Sequence, residues 1–150
     1  MTATYTLTLT REQAQLLSQA CETVARLGIG QWRDALEWLP TTEYMAHGWH
    51  QDMDAIGAIL SKYTKDNVDG WRCSLSVRSD KVHEQAKIAW DLYQVIRYRL
   101  AWDRAIEQGI VKPGEPRKWP GMMGVSYDDP MKTSKGPMAT IEQAEERGRG

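Results

Sequence analysis

The first pattern along the chain is a strict alternation of threonine with larger apolar side chains. In the segment TYTLTLT, residues 4–10, the side chains of Tyr5, Leu7 and Leu9 lie on one face and the threonines on the other. A two-residue period is typical of a half-buried β-strand, because successive side chains of a strand point to opposite faces. The alternation therefore predicts a short N-terminal strand.

The period then changes to three or four residues, which predicts a helix that begins at Thr10. Thr10 and Gln13 have the spacing of a capping box, in which each side chain accepts a hydrogen bond from the backbone N–H of the other residue. Gly28 and Gly30 are expected to end the helix, because glycine readily adopts the left-handed conformation that follows many helices. The predicted buried stripe consists of Ala14, Leu17, Ala20, Cys21 and Val24.

Three further helices are expected: a short one over 31–39, which Pro40 would end, and two over about 49–64 and 80–107. Ser79 or Asp80 would cap the last of these helices, and Gly109 would end it. At 1.5 Å per residue, its ~28 residues would span about 42 Å. This length makes it the expected central element of the fold.

The region from 112 to 137 contains five of the six prolines, which predicts irregular structure apart from a short strand at 123–127. We expect an α+β fold that is mostly helical, with one long central helix over about 80–107. The N-terminal strand and the C-terminal strand would form a small antiparallel sheet. Residues 1–141 would form a single globular domain, and residues 142–150 would be a frayed C-terminal tail.

The long helix carries two arginines on its apolar stripe. On a helical wheel with Val82 at zero, Arg104 lies at about 40° and Arg97 at about 60°, whereas Arg99 lies on the flank at about 260°. A buried charge requires a partner, so Arg97 and Arg104 should meet either carboxylates of the protein or an anionic ligand, unless their long stems carry the charged groups from the buried face to solvent. Candidate carboxylates are Asp34, Glu37, Glu43, Asp52 and Asp54.

The ligand-binding interpretation assigns a role to three groups of side chains. Arg97 and Arg104 would bind phosphate oxygens, because the guanidinium group matches the geometry of phosphate. The rings available to stack on a base are Trp90, Tyr93 and Trp102. In MKTSKGP, residues 131–137, the side chains of Lys132, Ser134 and Lys135 would close over the anion. An ordinary solvated loop is the alternative for this segment.

A second apolar patch, formed by Val95, Tyr98 and Trp102, lies opposite the first stripe of the long helix. A helix that is apolar on two sides is either central in its domain or located at an interface. We therefore expect a homo-oligomer.

Composition narrows the classes of function. A net charge of −1 over 150 residues disfavours a nucleic-acid binder. The two cysteines lack metal-ligand spacing and indicate a reducing compartment, and no apolar run approaches the ~20 residues of a membrane span, so we expect a cytoplasmic protein. His47 and His50, with nearby carboxylates, are the candidate ligands for a metal site. Because no catalytic motif is present, we expect no metal, no cofactor and no enzymatic activity.

A family resemblance is carried by three segments: YTLTLTREQAQLLSQACETVARLGIGQWRD (5–34), AWDLYQVIRYRLAWDR (89–104) and YDDPMKTSKGPMATIE (127–142). They resemble small accessory proteins of tailed bacteriophages and prophages, whereas residues 37–79 match nothing in that group. The resemblance implies an accessory phage protein rather than a part of the virion. Small phage accessory proteins often act against host defence, and some are oligomeric sponges that hold nucleotide signals without cleaving them.

The expected function is therefore the sequestration of a small anionic nucleotide-type signal in the host cytoplasm. One alternative is a phage inhibitor that binds a host protein directly through tryptophan-rich surfaces. A DNA-associated protein and a metal-dependent hydrolase of a nucleotide signal remain as further alternatives.

Overall fold

A computed structural model of the chain describes residues 5–32, 49–60, 75–112 and 129–142. Three helices lie in these ranges: α1 (Arg11–Gly28), α2 (Trp49–Leu60) and α3 (Glu84–Glu107). The ranges contain no strand, so the predicted sheet is wrong and the described fold is helical. None of the helices in this part of the chain is long and apolar enough to cross a bilayer.

The predicted N-terminal strand is an irregular, exposed segment. Tyr5 and Leu7 are 92% and 71% exposed, and residues 5–10 precede α1 without regular structure. Alternation determines which side chains share a face, but a strand also requires a neighbouring strand, and the described residues supply none. The predicted partner strand at 123–127 lies outside the described residues, and so do residues 33–39 of the predicted short helix.

The predicted start and end of α1 are confirmed. The backbone N–H of Thr10 donates to Oε1 of Gln13 at 2.9 Å, and the N–H of Gln13 donates to Oγ1 of Thr10 at 3.3 Å, which completes the capping box. Gly28 is the last helical residue, and Gly30 follows with a φ of 91°. Glycine at this position allows the left-handed backbone that ends the helix.

The buried face of α1 differs from the predicted stripe. The buried residues recur at intervals of four, three and four and are Ala14, Ser18, Cys21 and Ala25. Leu17 is half-buried, while Ala20 and Val24 are exposed. The prediction followed apolar side chains only and therefore passed over Ser18, whose small side chain lies on the buried face.

The long helix α3 is confirmed as the longest helix of the described part, but it begins at Glu84 rather than near residue 80. The chain forms turns before it, with the N–H of Ser79 donating to the carbonyl of Ser76 at 2.8 Å. Gly109, with a φ of 70°, ends the helix as predicted. The N–H of Ile110 then donates back to the carbonyl of Ala105 at 2.9 Å, a bond typical of the end of a helix.

The chain forms two compact units, and α1 and α3 each contribute to both of them. The first unit consists of Met1–Cys21 and Asp91–Gly150, and the second consists of Glu22–Trp90. The predictions of a single domain over 1–141 and of a frayed tail over 142–150 stay predictions, and residues 143–150 lie outside the described ranges.

In the second unit, the end of α1 packs closely against the start of α3. A Cβ atom added to Gly28 would lie 2.2 Å from Cβ of Ala86, so only glycine allows this approach of the two helices. Ile29 follows directly and packs with Val82 and Ala86, against which Leu75 and Val77 also lie. The N–H of Leu75 donates to the carbonyl of Ile29 at 2.9 Å and ties the two segments together.

In the first unit, the apolar cluster is built around the C-terminal part of α3. Trp102, Ala105 and Val111 are buried together, with Tyr98 and Ile106 packed against them. The Tyr98 and Trp102 rings meet edge to face, with centroids 6.2 Å apart. Trp102 is only 5% exposed, so the second apolar patch, which was the reason to expect a homo-oligomer, is largely covered within the chain.

Candidate functional site

Within the first unit, α1 and α3 run antiparallel and flank a half-open crevice of about 220 Å³. Three arginines line it: Arg11 from the first turn of α1, and Arg97 and Arg104 from α3. The remaining lining is supplied by Gln15, Ser18, Gln19 and Leu100. We refer to this site as the arginine crevice.

The spacing of residues explains why these side chains meet. Arg97, Leu100 and Arg104 are three and four residues apart, which places them on one face of α3. The polar residues of α1 follow the same rule, since Gln15, Ser18 and Gln19 succeed Arg11 at four, seven and eight residues. Two polar stripes on antiparallel helices therefore face each other.

Arg97 is the buried arginine of the crevice, with 9% of its surface exposed. Its guanidinium carbon lies 5.3 Å from the centroid of the Tyr93 ring, one turn earlier on α3. A cation over the face of an aromatic ring is attracted by the negative potential of that face. Tyr93 therefore holds the guanidinium group of Arg97 in position beside the crevice.

Arg11 forms an ion pair with Glu107, the last residue of α3, through both of its terminal nitrogens. These hydrogen bonds hold the pKa of Glu107 below its usual value. Both side chains are about half exposed, so the pair lies in solvent at the end of the crevice. Arg11 thus lines the crevice while a carboxylate of the protein neutralises it.

Arg104 differs from its neighbours on α3. Its side chain is exposed, and it makes no ion pair with a carboxylate among the described residues. Arg99, which lies on the flank as predicted, pairs with Asp103 at 2.7 Å one turn later. Of these two arginines, Arg104 is therefore the one that presents its charge to the crevice and to solvent.

A second polar arrangement joins α3 to the segment 129–134, which corresponds to the first part of the predicted anion-binding loop. Asp91 is 3% exposed and accepts four hydrogen bonds, two from Thr133 and two from Ser134, at distances of 2.5–3.0 Å. Gln94 exchanges two hydrogen bonds with the backbone of Met131, at 2.9 and 3.1 Å. We refer to this arrangement as the Asp91 clamp.

The hydrogen bonds of the clamp keep Asp91 charged. Burial of its carboxylate favours the neutral form, but the side chains and backbone N–H groups of Ser134 and Thr133 stabilise the anion more strongly. The pKa of Asp91 therefore lies below its ordinary value. Tyr98 extends the same contact, because its hydroxyl donates to Asp129 at 2.8 Å.

The clamp and the crevice occupy different faces of α3. Asp91, Gln94 and Tyr98 share one face, and the face with Arg97 and Arg104 is rotated from it by about 120°. Ser134 is buried and its hydroxyl donates to Asp91, so the structure does not bring it to the arginines. Lys132 and Lys135 are exposed on the clamped segment and do not line the crevice.

The predicted site residues are therefore only partly brought together. Arg97 and Arg104 share the crevice, and Tyr93 reaches it through its contact with Arg97. Trp102 is buried in the apolar cluster of the first unit, and Trp90 is half-buried in the second unit.

The prediction missed Arg11, Gln15, Ser18 and Gln19, which line the crevice from α1. The available signal was the helical spacing of these polar residues beside the buried stripe of α1. That spacing identifies a face of α1, but only the antiparallel packing of α3 shows which residues lie across from it.

The chemistry of the crevice is that of a binding site for an anion. Guanidinium, amide and hydroxyl groups donate hydrogen bonds to anionic oxygens. Its described lining contains no carboxylate, imidazole or thiol that would act as a base or nucleophile. Elsewhere in the described ranges, no group of three or more His, Cys, Asp or Glu side chains is placed to hold a metal ion. His47 and the side chain of His50 lie outside the described residues.

Comparison with known proteins adds no relative: no family model, curated protein or solved structure matches the chain.

Proposed function

We propose that this protein binds a small anionic ligand of the nucleotide type in the arginine crevice and holds it without cleaving it. The phosphate groups of the ligand would lie between α1 and α3. Arg97 and Arg104 would donate hydrogen bonds to phosphate oxygens, and Gln15 and Gln19 would add neutral donors. Release of the sequestered ligand would return it unchanged.

The observation that carries this proposal is the convergence of three arginines on a crevice without a lining carboxylate. Like charges repel, and this repulsion is strongest where water is partly excluded. Arg11 is neutralised by Glu107, whereas Arg104 makes no ion pair with a carboxylate among the described residues and lines the same space as Arg11 and Arg97. A bound anion would relieve this repulsion and form charge-assisted hydrogen bonds.

The volume of the crevice indicates which part of a ligand it would enclose. About 220 Å³ is less than the roughly 300–1,000 Å³ typical of pockets that enclose a whole drug-sized molecule. The phosphate portion of a nucleotide would therefore be held inside, while its base would lie at the rim. Trp102 cannot serve as the stacking ring in this arrangement, because it is buried in the apolar cluster.

The biological setting in the proposal rests on the resemblance to phage accessory proteins. A non-enzymatic binder that acts in the host cytoplasm would lower the concentration of a nucleotide immune signal by mass action. The absence of a carboxylate, imidazole or thiol from the described lining supports sequestration over hydrolysis.

Isothermal titration calorimetry against cyclic dinucleotides, cyclic trinucleotides and ADP-ribose derivatives tests the proposal. We expect saturable binding of at least one compound, weakened by added salt because charged contacts contribute. Arg104→Gln should lower the affinity by about 10- to 100-fold, because this is the contribution expected of a charge-assisted hydrogen bond. Arg99→Gln is the matched control, since Arg99 lies on the same helix but pairs with Asp103.

Two results would contradict the proposal. The first is the absence of binding to every compound at near-millimolar protein. The second is an equal loss of affinity in Arg104→Gln and Arg99→Gln, which would show that the crevice is not the binding site. Chromatography of the ligand recovered after heat denaturation distinguishes sequestration from hydrolysis, and recovery of a cleaved product would exclude a sponge.

A second candidate function, direct inhibition of a host protein, is favoured by one further observation. In the second unit, Val24 and Leu27 are 49% and 44% exposed, and their spacing of three residues places them on one face of α1. Exposed apolar faces of this kind are used in protein recognition. Stoichiometric recovery of one host protein that is lost in Leu27→Asp would favour this function over ligand binding.

A further inference from the structure

The segment before α1 has the pattern of a strand but none of the contacts of one. Residues 5–9 make no hydrogen bond within the described part of the chain. Two large side chains of its apolar face, Tyr5 and Leu7, are 92% and 71% exposed. A partner strand would bury the apolar side chains and form hydrogen bonds with the backbone groups. The segment is therefore a candidate interaction surface.

The sequence of the segment is complementary to itself. If two copies align antiparallel with Leu7 opposite Leu7, each Tyr5 lies opposite a Leu9 of the other copy. All of these apolar side chains then share one face of the two-stranded ribbon, because residues opposite each other in a sheet point to the same side. On the other face, Thr6 lies opposite Thr8. Aromatic–aliphatic and threonine pairs of this kind stabilise neighbouring strands.

We propose that the segment 5–9 pairs with the same segment of a second copy of this chain, as a two-stranded antiparallel ribbon about a two-fold axis at Leu7. The pairing is intermolecular and is distinct from the sheet predicted with residues 123–127. The two-fold arrangement is closed, so it forms a dimer rather than a filament. This inference does not depend on the proposed ligand.

A second copy is the occupant that the segment fits best. The partner strand must supply apolar side chains on one face and small hydroxyl side chains on the other, and the segment itself supplies both in register. The segment also lacks the lysine, proline and glycine residues that commonly protect exposed strands from pairing. Slippage by one residue would place threonines on the apolar face, which favours the symmetric register.

Cysteine cross-linking tests the register directly. Opposite residues of antiparallel strands have Cα atoms about 4.5–5.5 Å apart, which suits a disulfide. Leu7→Cys places two thiols opposite each other across the two-fold axis. In Thr6→Cys the two Cα atoms would be about 8 Å apart, which is too far. All variants carry Cys73→Ser, whereas Cys21 is buried, which raises the pKa of its thiol and slows its reaction.

Under mild oxidation, we expect Leu7→Cys to form a covalent dimer at least about ten times faster than Thr6→Cys, since only the former satisfies the geometry of a disulfide. Equal rates for the two variants would overturn the proposed register and with it the proposal.

Sedimentation velocity over a range of protein concentrations measures dimer formation in the absence of a disulfide cross-link. We expect a monomer–dimer equilibrium that Leu7→Lys abolishes, because two lysines would then lie opposite each other at the axis. Thr8→Lys is the matched control: it adds the same charge but faces Thr6, so the dimer should persist. A chain that stays monomeric at every concentration, or a dimer that Leu7→Lys leaves intact, would overturn the proposal.

Discussion

The Asp91 clamp and the arginine crevice both place a buried charge on α3, but they satisfy that charge in different ways. Asp91 is closed in by Thr133 and Ser134, which direct four hydrogen bonds at its two oxygens. Arg97 has the Tyr93 ring on one side and the crevice on the other. The hydrogen bonds of Asp91 therefore stabilise the fold, whereas the guanidinium group of Arg97 faces a space that an anion can enter.

This comparison distinguishes two roles of buried charge on the same helix. A charge enclosed by donors of its own chain contributes to stability and has no remaining capacity for a ligand. A charge beside an accessible crevice can bind a ligand even where it contributes little to folding. Substitutions at the clamp should therefore change the stability of the protein, and substitutions in the crevice should change its affinity.

The largest effect is expected for Asp91→Asn. The amide keeps one acceptor oxygen but puts an N–H₂ group in place of the other, so the donors of either Thr133 or Ser134 lose their acceptor. We expect a loss of about 2–4 kcal/mol in the free energy of unfolding, measured by urea denaturation. Asp103→Asn is the control, because its ion pair with Arg99 within the helix contributes only about 0.3–0.5 kcal/mol. Equal effects of the two substitutions would show that the Asp91 clamp does not stabilise the fold more than the ion pair of Asp103 does.

The next effect is expected for Arg97→Lys, measured as ligand affinity. Lysine keeps the positive charge but loses the planar fork that binds two phosphate oxygens at once, so the affinity should fall by about tenfold. Arg99→Lys is the control and should leave affinity unchanged. An unaltered affinity in Arg97→Lys would mean that the crevice supplies only a diffuse positive field.

The clamp should also make stability depend on pH in acid. The pKa of Asp91 is lowered on folding, so the unfolded chain binds this proton more readily than the folded chain. Its contribution should be complete above the ordinary pKa of 3.8 and be lost as the pH falls through the lower folded value. Urea denaturation at pH 6, 4 and 3 should show a steeper acid loss in the wild type than in Asp91→Asn. Parallel curves would contradict this account.

The smallest effect is expected for Glu107→Gln. This substitution removes the carboxylate that neutralises Arg11 and so increases the positive charge along the crevice. Ligand affinity should rise by no more than about fivefold, since exposed ion pairs are weak and screened by salt. Calorimetry at low ionic strength measures the change, and Glu12→Gln, in the first turn of α1, is the control. A fall in affinity would show that Glu107 positions Arg11 for binding.

The helices could be predicted from the sequence because their signals are local. The capping box of Thr10 and Gln13 and the terminating Gly109 depend on neighbours a few residues away, and both are confirmed. The positions of Arg97 and Arg104 on one face follow from the helical period alone. The two arginines that line the crevice from α3 could therefore be predicted from the sequence.

The contacts between distant segments could not be predicted in the same way. The Asp91 clamp joins residues 42 and 43 positions apart, and no local pattern specifies that Asp91 and not Asp103 accepts from Ser134. The same limit explains the wrong sheet: the alternation at Tyr5 to Leu9 is local, whereas the partner of a strand is not. It also explains why Gln15 and Gln19 were missed, since their place in the crevice depends on which helix lies opposite.

The most direct test of the account is NMR spectroscopy of the arginine side chains during a titration with inorganic pyrophosphate. The Nε–Hε signals of Arg97, Arg99 and Arg104 report separately on the crevice and on the flank of α3. We predict saturable shifts of Arg97 and Arg104 and a nearly constant signal of Arg99. Equal, non-saturating shifts of all three signals, or no shift of Arg97 and Arg104 at millimolar pyrophosphate, would contradict the claim that the crevice binds anions.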